Sequence, residues 1–226
     1  MRLLPLSIIL PALIACSSDS DPATASTSSN LTFTGGTTPF ACTTTGVDGW
    51  AIPGGPAFDA FRAATGIDYI EAHQLATATA AASIGVKSGV ACSSATCAAA
   101  LAASTSTTTL YTDDAAEYGG GTLLPYPAYW LAYTKGDEAR VLGSLADLRA
   151  LTPVIDGPAK AYLWAEAQGW RVECGQDWYR AAGDAHELFV SRLKVACQPR
   201  ETAILRIAHD GTVTVLETGA GSAACL

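Results

Sequence analysis

Apolar and polar residues alternate along the C-terminal half of the chain, and this period of two predicts β-strands. The segments that show it are also rich in β-branched and apolar residues. They are WRVEC at 170–174, HELFVSRLKVAC at 186–197 and TAILRIAHDGTVTVLE at 202–217. Asp210-Gly211 inside the last segment is a typical hairpin sequence. A three-residue loop over 209–211, with Gly211 in the left-handed conformation, keeps the apolar residues on one face and pairs Ile207 with Val213.

A second hairpin is predicted over residues 129–142, where YWLAYT and EARVL flank the loop KGD. A three-residue loop places Leu131 opposite Val141 and Tyr133 opposite Ala139. This register would keep those four side chains on one face of the hairpin.

The other regular segments have helical patterns, marked by capping residues and by glycine and proline stops. Gly-Pro is expected to begin two of these helices, because proline is favoured in the first helical turn. Asp68 and Glu71, three residues apart, match a capping box. The predicted helices run from Gly55 to Gly66, from Asp68 to Gly85, from Ser93 or Ser94 to Ala103, from Ser144 to Leu151 and from Gly157 to Gly169.

Helices concentrated early and strands concentrated late predict an α+β fold. An Ala-rich helical region over 40–109 is expected to precede an α+β domain over 110–226, in which a mainly antiparallel sheet carries two short helices. The part from about residue 129 to 226, with YTKGDEARVL, DGTVTVL and a late cysteine, resembles uncharacterised bacterial secreted proteins. That resemblance implies no known activity, ligand or catalytic residue.

Residues 1–15, MRLLPLSIILPALIA, have the layout of a secretory signal, with a positive charge at Arg2 followed by a short apolar run. The run is shorter than the about 20 apolar residues that a membrane-spanning helix needs. An ordinary cleavage site has small residues at −3 and −1, and Leu13 at −3 fits that pattern badly. The segment therefore predicts export with a different kind of processing.

The sequence LIAC at 13–16 resembles the lipobox of bacterial lipoproteins. The resemblance implies that Cys16 receives a diacylglyceryl group, that the signal is cut off and that the new N-terminus is acylated. Two or more acyl chains hold a protein stably on a membrane, whereas one holds it marginally. The family's sorting rule implies the outer membrane, if the cell has one, because Ser17 replaces the aspartate that retains lipoproteins in the inner membrane. Residues 16–39 are rich in Ser, Thr, Gly and Asp and are predicted to be a flexible tether.

The cysteines predict an oxidised protein. Setting Cys16 aside leaves an even number, which in an exported chain indicates disulfides, although sequence alone does not choose the pairing. Zinc is the alternative, but the one close spacing is C-x4-C with no histidine near it, so no metal is expected. The strand pattern and the local spacing favour Cys174–Cys197, Cys92–Cys97 and, for the remaining two, Cys42–Cys225.

Few side chains suggest catalysis, and no catalytic residue or cofactor is predicted. His73 is expected on a helix, His186 on a strand without the second histidine of a zinc protease, and His209 in a hairpin loop. The acidic group in the middle of the chain lacks the central glycine of a calcium loop and is expected to be solvated. Its members are Asp113, Asp114 and Glu117.

The expected function is binding without catalysis. The chain has 21 acidic and 13 basic residues and a net charge of −8, so nucleic acid is excluded as a partner. An envelope protein or polysaccharide is the expected partner, and aromatic residues are enriched at such interfaces. An envelope hydrolase, with catalytic groups assembled from distant positions, is the alternative. The candidate binding surface comprises Trp164, Trp170, Trp178 and Tyr179.

Overall fold

A computed structural model of the chain describes residues 31–41, 44–45, 52–75, 83–110, 128–174, 176–192 and 199–223. These residues form an α+β fold in which four helices pack against two antiparallel sheets. A further short ribbon pairs strands β1 (Thr44–Thr45) and β2 (Ile52–Pro53). The predicted fold class is thereby confirmed at the level of mixed α+β.

The first sheet has the strand order β4-β3-β5-β6. Both faces of this sheet are covered, because the odd and even positions of strand β5 enter two separate apolar clusters. Helix α1 (Gly55–Thr65) places Phe58 and Phe61 in the larger cluster, and helix α2 (Ala95–Ala102) places Leu101 in the smaller one. The strands are β3 (Tyr69–Leu75), β4 (Ser83–Gly89), β5 (Ala128–Lys135) and β6 (Glu138–Leu142).

The predicted helix from Asp68 to Gly85 is wrong. Its first part is β3 and its last part lies in β4, while residues 76–82 lie outside the described part of the chain. The expected capping box is not formed, because Asp68 accepts a hydrogen bond from Gly136 N at 2.7 Å and Glu71 binds neighbouring side chains of its own strand. Pairing with strands on both sides outweighs the local helix signal.

The second sheet has the order β11-β10-β9-β7, with β8 also pairing β9. The three segments predicted as strands overlap β7, β9, β10 and β11, whereas β8 was not predicted. Helix α4 contacts α1 and packs on β7 and β9, so a single large core joins the two sheets. The elements are α3 (Leu145–Leu151), α4 (Pro158–Glu166), β7 (Arg171–Val172), β8 (Tyr179–Ala182), β9 (Ala185–Arg192), β10 (Pro199–Ala208) and β11 (Val213–Ala223).

Four of the five predicted helices are present and begin as expected. Proline opens α1 and α4, and the side chains of Ser94 and Ser144 cap α2 and α3 by accepting hydrogen bonds from Cys97 N and Asp147 N. Among the described residues, none of the helices is long and apolar enough to cross a membrane.

The two hairpins differ in how well they were predicted. The β10–β11 hairpin pairs Ile207 with Val213 and has Gly211 at φ 79°, which confirms the three-residue loop. The predicted register of β5–β6 is wrong by one residue, since Leu131 pairs with Leu142. Its turn uses two residues, Gly136 and Asp137, both at positive φ, as in a type I′ turn.

The end of the predicted tether belongs to the folded part. Residues 31–41 lie along the second sheet, where Thr37 N donates to Tyr179 O at 2.7 Å and the Phe33 ring stacks on Phe189. Phe40 packs edge-on against Trp178, with ring centroids 4.9 Å apart. The aromatic side chains at 33 and 40 provide the apolar surface that anchors this otherwise polar segment, so the tether boundary at residue 39 is too late.

A disulfide joins Cys92 to Cys97, as predicted, and links the loop before α2 to its first turn. Cys174 is also disulfide-bonded. The proposed partners and pairings that involve Cys42, Cys197 and Cys225 lie outside the described residues.

Replacing Cys92 and Cys97 together by serine is expected to lower the free energy of unfolding by about 2 kcal/mol, because the closed loop is short. Urea unfolding under oxidising conditions measures it. Thr96→Ser, at an exposed position of the same helix, is the control and should stay within about 0.5 kcal/mol of the parent. Equal stability of the double variant and the parent would show that the bond does not stabilise α2.

Candidate functional site

The aromatic residues proposed as a binding surface are mostly core residues. Trp164, Trp170 and Trp178 are exposed by 4%, 4% and 0%. Trp178 packs edge-on against Tyr162, and Trp164 donates its ring N–H to Gly211 O at 2.8 Å. These three tryptophans fill the space between α4 and the second sheet, so an exposed aromatic surface built on them is excluded.

Tyr179 alone of that group is partly exposed, and it is engaged with His186. The Tyr179 hydroxyl lies 2.9 Å from His186 Nδ1, and His186 Nε2 lies 3.1 Å from Ile155 O. Burial lowers the pKa of His186, which favours a neutral ring. Both ring nitrogens are therefore satisfied, and His186 is a structural residue of strand β9, as the strand pattern indicated.

His209 lies exposed in the β10–β11 turn, as predicted, with its ring centroid 5.6 Å from that of His186. The acidic group Asp113, Asp114 and Glu117 lies outside the described residues.

His73, which was expected on a helix, belongs to a hydrogen-bonded cluster on one face of β3. Its Nε2 lies 2.8 Å from Glu71 Oε1, and the Tyr69 hydroxyl donates to Glu71 Oε2 at 2.6 Å. The His73 ring stacks on Trp130 of β5, with centroids 3.8 Å apart and planes at 12°. We call Tyr69, Glu71, His73 and Trp130 the Glu71 cluster.

The residues of the Glu71 cluster are nearly buried. Glu71 and His73 are exposed by 5% and 8%, and Tyr69 by 7%. Burial, and then the hydrogen bond to Glu71, raise the pKa of Tyr69 well above its usual value, so Tyr69 remains a donor. Strand alternation puts these side chains on the face opposite the large core, next to α2.

A groove of about 520 Å³ opens between the β5–β6 hairpin and helix α3. Ala150 and Leu151 of helix α3 give it an apolar side, and two cations, Lys135 and Arg140, lie on the hairpin side. Lys135 Nζ donates to Thr65 O at 3.3 Å, and Arg140 forms an exposed pair with Glu138 at 2.7 Å. The remaining polar lining residues are Tyr133 and Asp147.

The charged groups of this groove differ in how many hydrogen bonds they can still offer to a ligand. Asp147 Oδ2 accepts from Gly143 N at 3.1 Å and from Ser144 Oγ at 2.7 Å, so it is engaged in capping α3. Burial raises the pKa of Tyr133, which keeps its hydroxyl protonated. Each cation has N–H groups beyond those used in the contacts above. The groove therefore presents donors to a ligand rather than a carboxylate.

Two other polar clusters are structural. Glu187 is buried between Arg180 and Arg206, whose Nε atoms lie 2.8 and 3.1 Å from its carboxylate. Burial alone would raise the pKa of Glu187, but the hydrogen bonds from the two arginines lower it below the usual value. The group ties β8, β9 and β10 together across the sheet.

The sulfurs of Cys92 and Cys97 and a carboxylate oxygen of Asp137 lie within 4.8 Å of one another. In the disulfide form neither sulfur is a thiolate, which is the form that binds metals. Asp137 accepts hydrogen bonds from Ser93 N at 2.7 Å and Ser94 N at 3.2 Å. The group thus connects the β5–β6 turn to the start of α2.

No protein-family model matches the chain, and no curated protein or solved structure is detectably similar to it. The functional argument therefore rests on the residues and their geometry. Sequence reasoning missed both the groove and the Glu71 cluster. The spacing Glu-x-His was the available signal, because it puts two side chains on one face only when the segment is a strand.

Proposed function

We propose that the protein is an exported, lipid-anchored component of the bacterial envelope that binds an acidic partner, without chemistry, in the groove between β5–β6 and α3. The N-terminal layout and the LIAC sequence support the export and the anchor. The Cys92–Cys97 disulfide supports an oxidising compartment, since such bonds are rare in the bacterial cytoplasm.

The groove is the observation that carries the binding proposal. Lys135 and Arg140 hold hydrogen-bond donors beside the apolar side chains of Ala150 and Leu151. Charge-assisted hydrogen bonds to carboxylates are the strong ones, and two cations beside an apolar surface match a peptide or polymer that carries carboxylates and apolar groups. Glu138 pairs with Arg140, and Asp147 also lines the groove, so the preference for carboxylates rests on the N–H groups that Lys135 and Arg140 have left over rather than on a net positive charge.

Reversing both charges, with Lys135→Glu and Arg140→Glu, is expected to weaken binding of a short poly-glutamate peptide about tenfold or more. Titration calorimetry at low salt measures the affinity, and added salt should weaken the parent's binding. Both side chains are exposed, so the fold should survive the change.

Lys87→Glu is the matched control, because Lys87 is an exposed lysine on strand β4, away from the groove. It changes the net charge in the same direction and should reduce binding much less. If Lys87→Glu weakened binding as much as reversal at Lys135 or Arg140, the effect would be one of overall charge and the groove would not be the site.

A further inference from the structure

We propose that His73 is the general base of a second site, which hydrolyses esters of short apolar carboxylic acids, with Glu71 as its positioning residue. The proposal takes up the hydrolase alternative and rests on the Glu71 cluster. It does not depend on the groove, so its failure would leave the binding proposal intact.

The hydrogen bonds of the cluster define the tautomer of His73. Carboxylate oxygens accept hydrogen bonds, and Glu71 accepts the Tyr69 hydroxyl at 2.6 Å through Oε2. The 2.8 Å contact between Glu71 Oε1 and His73 Nε2 therefore places the ring proton on Nε2. With the ring proton on Nε2, the lone pair on Nδ1 is the one available to a general base.

His73 Nδ1 has no hydrogen-bond partner within the part of the chain that the structure describes. The side chain of His73 keeps 11% of its surface exposed, so the ring is not sealed from solvent. Nδ1 is not one of the buried atoms that lack a hydrogen-bond partner in the described structure, so it is open to solvent and a water molecule or a ligand can reach it. His186 differs, because protein atoms lie within hydrogen-bond distance of both its ring nitrogens.

The ring is also held in one orientation. Trp130 stacks on its face at 3.8 Å, and Glu71 holds its edge at Nε2. A base that is already oriented loses little entropy when it takes up a proton, and its carboxylate partner stabilises the resulting imidazolium. Glu71 thus acts on the reaction through His73.

The reaction is a hydrolysis that needs no metal and no redox partner. His73 Nδ1 takes a proton from water while the water oxygen bonds to the ester carbonyl carbon. The tetrahedral intermediate then breaks its C–O bond to the alcohol, and His73 returns the proton to the departing alkoxide. The products are one carboxylic acid and one alcohol, and the ring ends as it began.

The surroundings of His73 indicate the class of ester. Ile84 is the Cα partner of His73 on β4, so its side chain is on the same face, and it is 56% exposed. Trp130 lies on the other neighbouring strand. An acyl group of a few carbons can cover the exposed Ile84 and remove its apolar surface from water, a gain that a charged acyl group does not provide.

Hydrolysis of p-nitrophenyl butyrate by the protein purified in detergent from the cells that express it tests the proposal. His73→Gln is expected to lower kcat about 100-fold, the usual range for a general base. His209→Gln, which removes an exposed histidine from a turn, should leave kcat unchanged. A parent no faster than buffer with detergent, or a folded His73→Gln variant with the parent's kcat, would overturn the proposal.

The positioning role of Glu71 is tested by kinetics and by NMR, because a residue that only supports the fold would not change these quantities selectively. Glu71→Gln should lower kcat with little change in KM, and Glu71→Asp should restore part of it. The ring ¹⁵N shifts of His73 in the parent, measured by NMR, should show a protonated Nε2 and a bare Nδ1. The opposite tautomer would refute the assignment even if the variants failed to fold.

Discussion

Cys16→Ser is expected to move the protein from the membrane fraction to the soluble fraction and to abolish its labelling by a fatty-acid probe. In proteins with a lipobox the cysteine sulfur is the acceptor of the lipid and serine cannot replace it, and Cys16 stands at that position of the LIAC sequence. Membrane binding through two or more acyl chains is stable, so loss of the chains should release the protein. Cell fractionation and in-cell labelling measure the two effects.

The matched control is the Cys92→Ser, Cys97→Ser double variant, which also removes cysteine sulfur but leaves Cys16 in place. It should remain lipidated and membrane-bound even though its stability falls. A Cys16→Ser protein that stayed with the membrane and carried no label would contradict the lipid anchor and point to association through a protein partner.

Turn chemistry decided how well the hairpins could be predicted. Gly211 is the one residue of its loop that readily takes a positive φ, so sequence and structure agree there. At the other hairpin, Asp137 also takes a positive φ and its carboxylate binds the start of α2, a contact distant in sequence. That contact favours the two-residue turn, and local sequence carries no sign of it.

The missed strand β3 shows a limit of period-based reasoning. Positions 70 and 72 enter the large core while 69, 71 and 73 form a polar and aromatic second face. A strand buried on both faces loses the simple alternation that marks a half-exposed one. On a helix, Glu71 and His73 would lie about 200° apart, so the wrong helix also hid the cluster that the strand creates.

The aromatic residues could not be assigned to surface or core from sequence. Three tryptophans close in sequence suited either a binding surface or a helix–sheet core, and the choice depended on how α4 packs against β7 and β9. The docking of Phe33 and Phe40 was hidden for a similar reason. Isolated aromatics in a polar segment order it only when a complementary surface exists, and that surface belongs to strands far along the chain.

Glu166 is a buried carboxylate whose ionisation opposes folding. It ends helix α4 and is exposed by 2%. Oε1 accepts from Val172 N at 3.3 Å, and Oε2 has no hydrogen-bond partner in the described structure. Burial raises its pKa to about 7, although the nearby charge of Arg171 acts in the opposite direction.

Glu166→Gln is expected to remove a loss of stability that the parent suffers as pH rises. The folded state holds the proton up to a pKa of about 7, whereas the unfolded chain releases it near the ordinary value of 4.5. The contribution to stability is therefore complete below pH 4.5, decreases between pH 4.5 and 7 and is absent above 7, and it amounts to about 3 kcal/mol. Glutamine never ionises, so the difference in free energy of unfolding between variant and parent should shift in the variant's favour by that amount from pH 4.5 to pH 8. Urea unfolding across this range measures it, with Glu217→Gln on the exposed face of β11 as the control that should show no such shift. A difference that stayed constant with pH would mean that Glu166 is ionised in the folded protein throughout, with a charged partner that compensates for its burial.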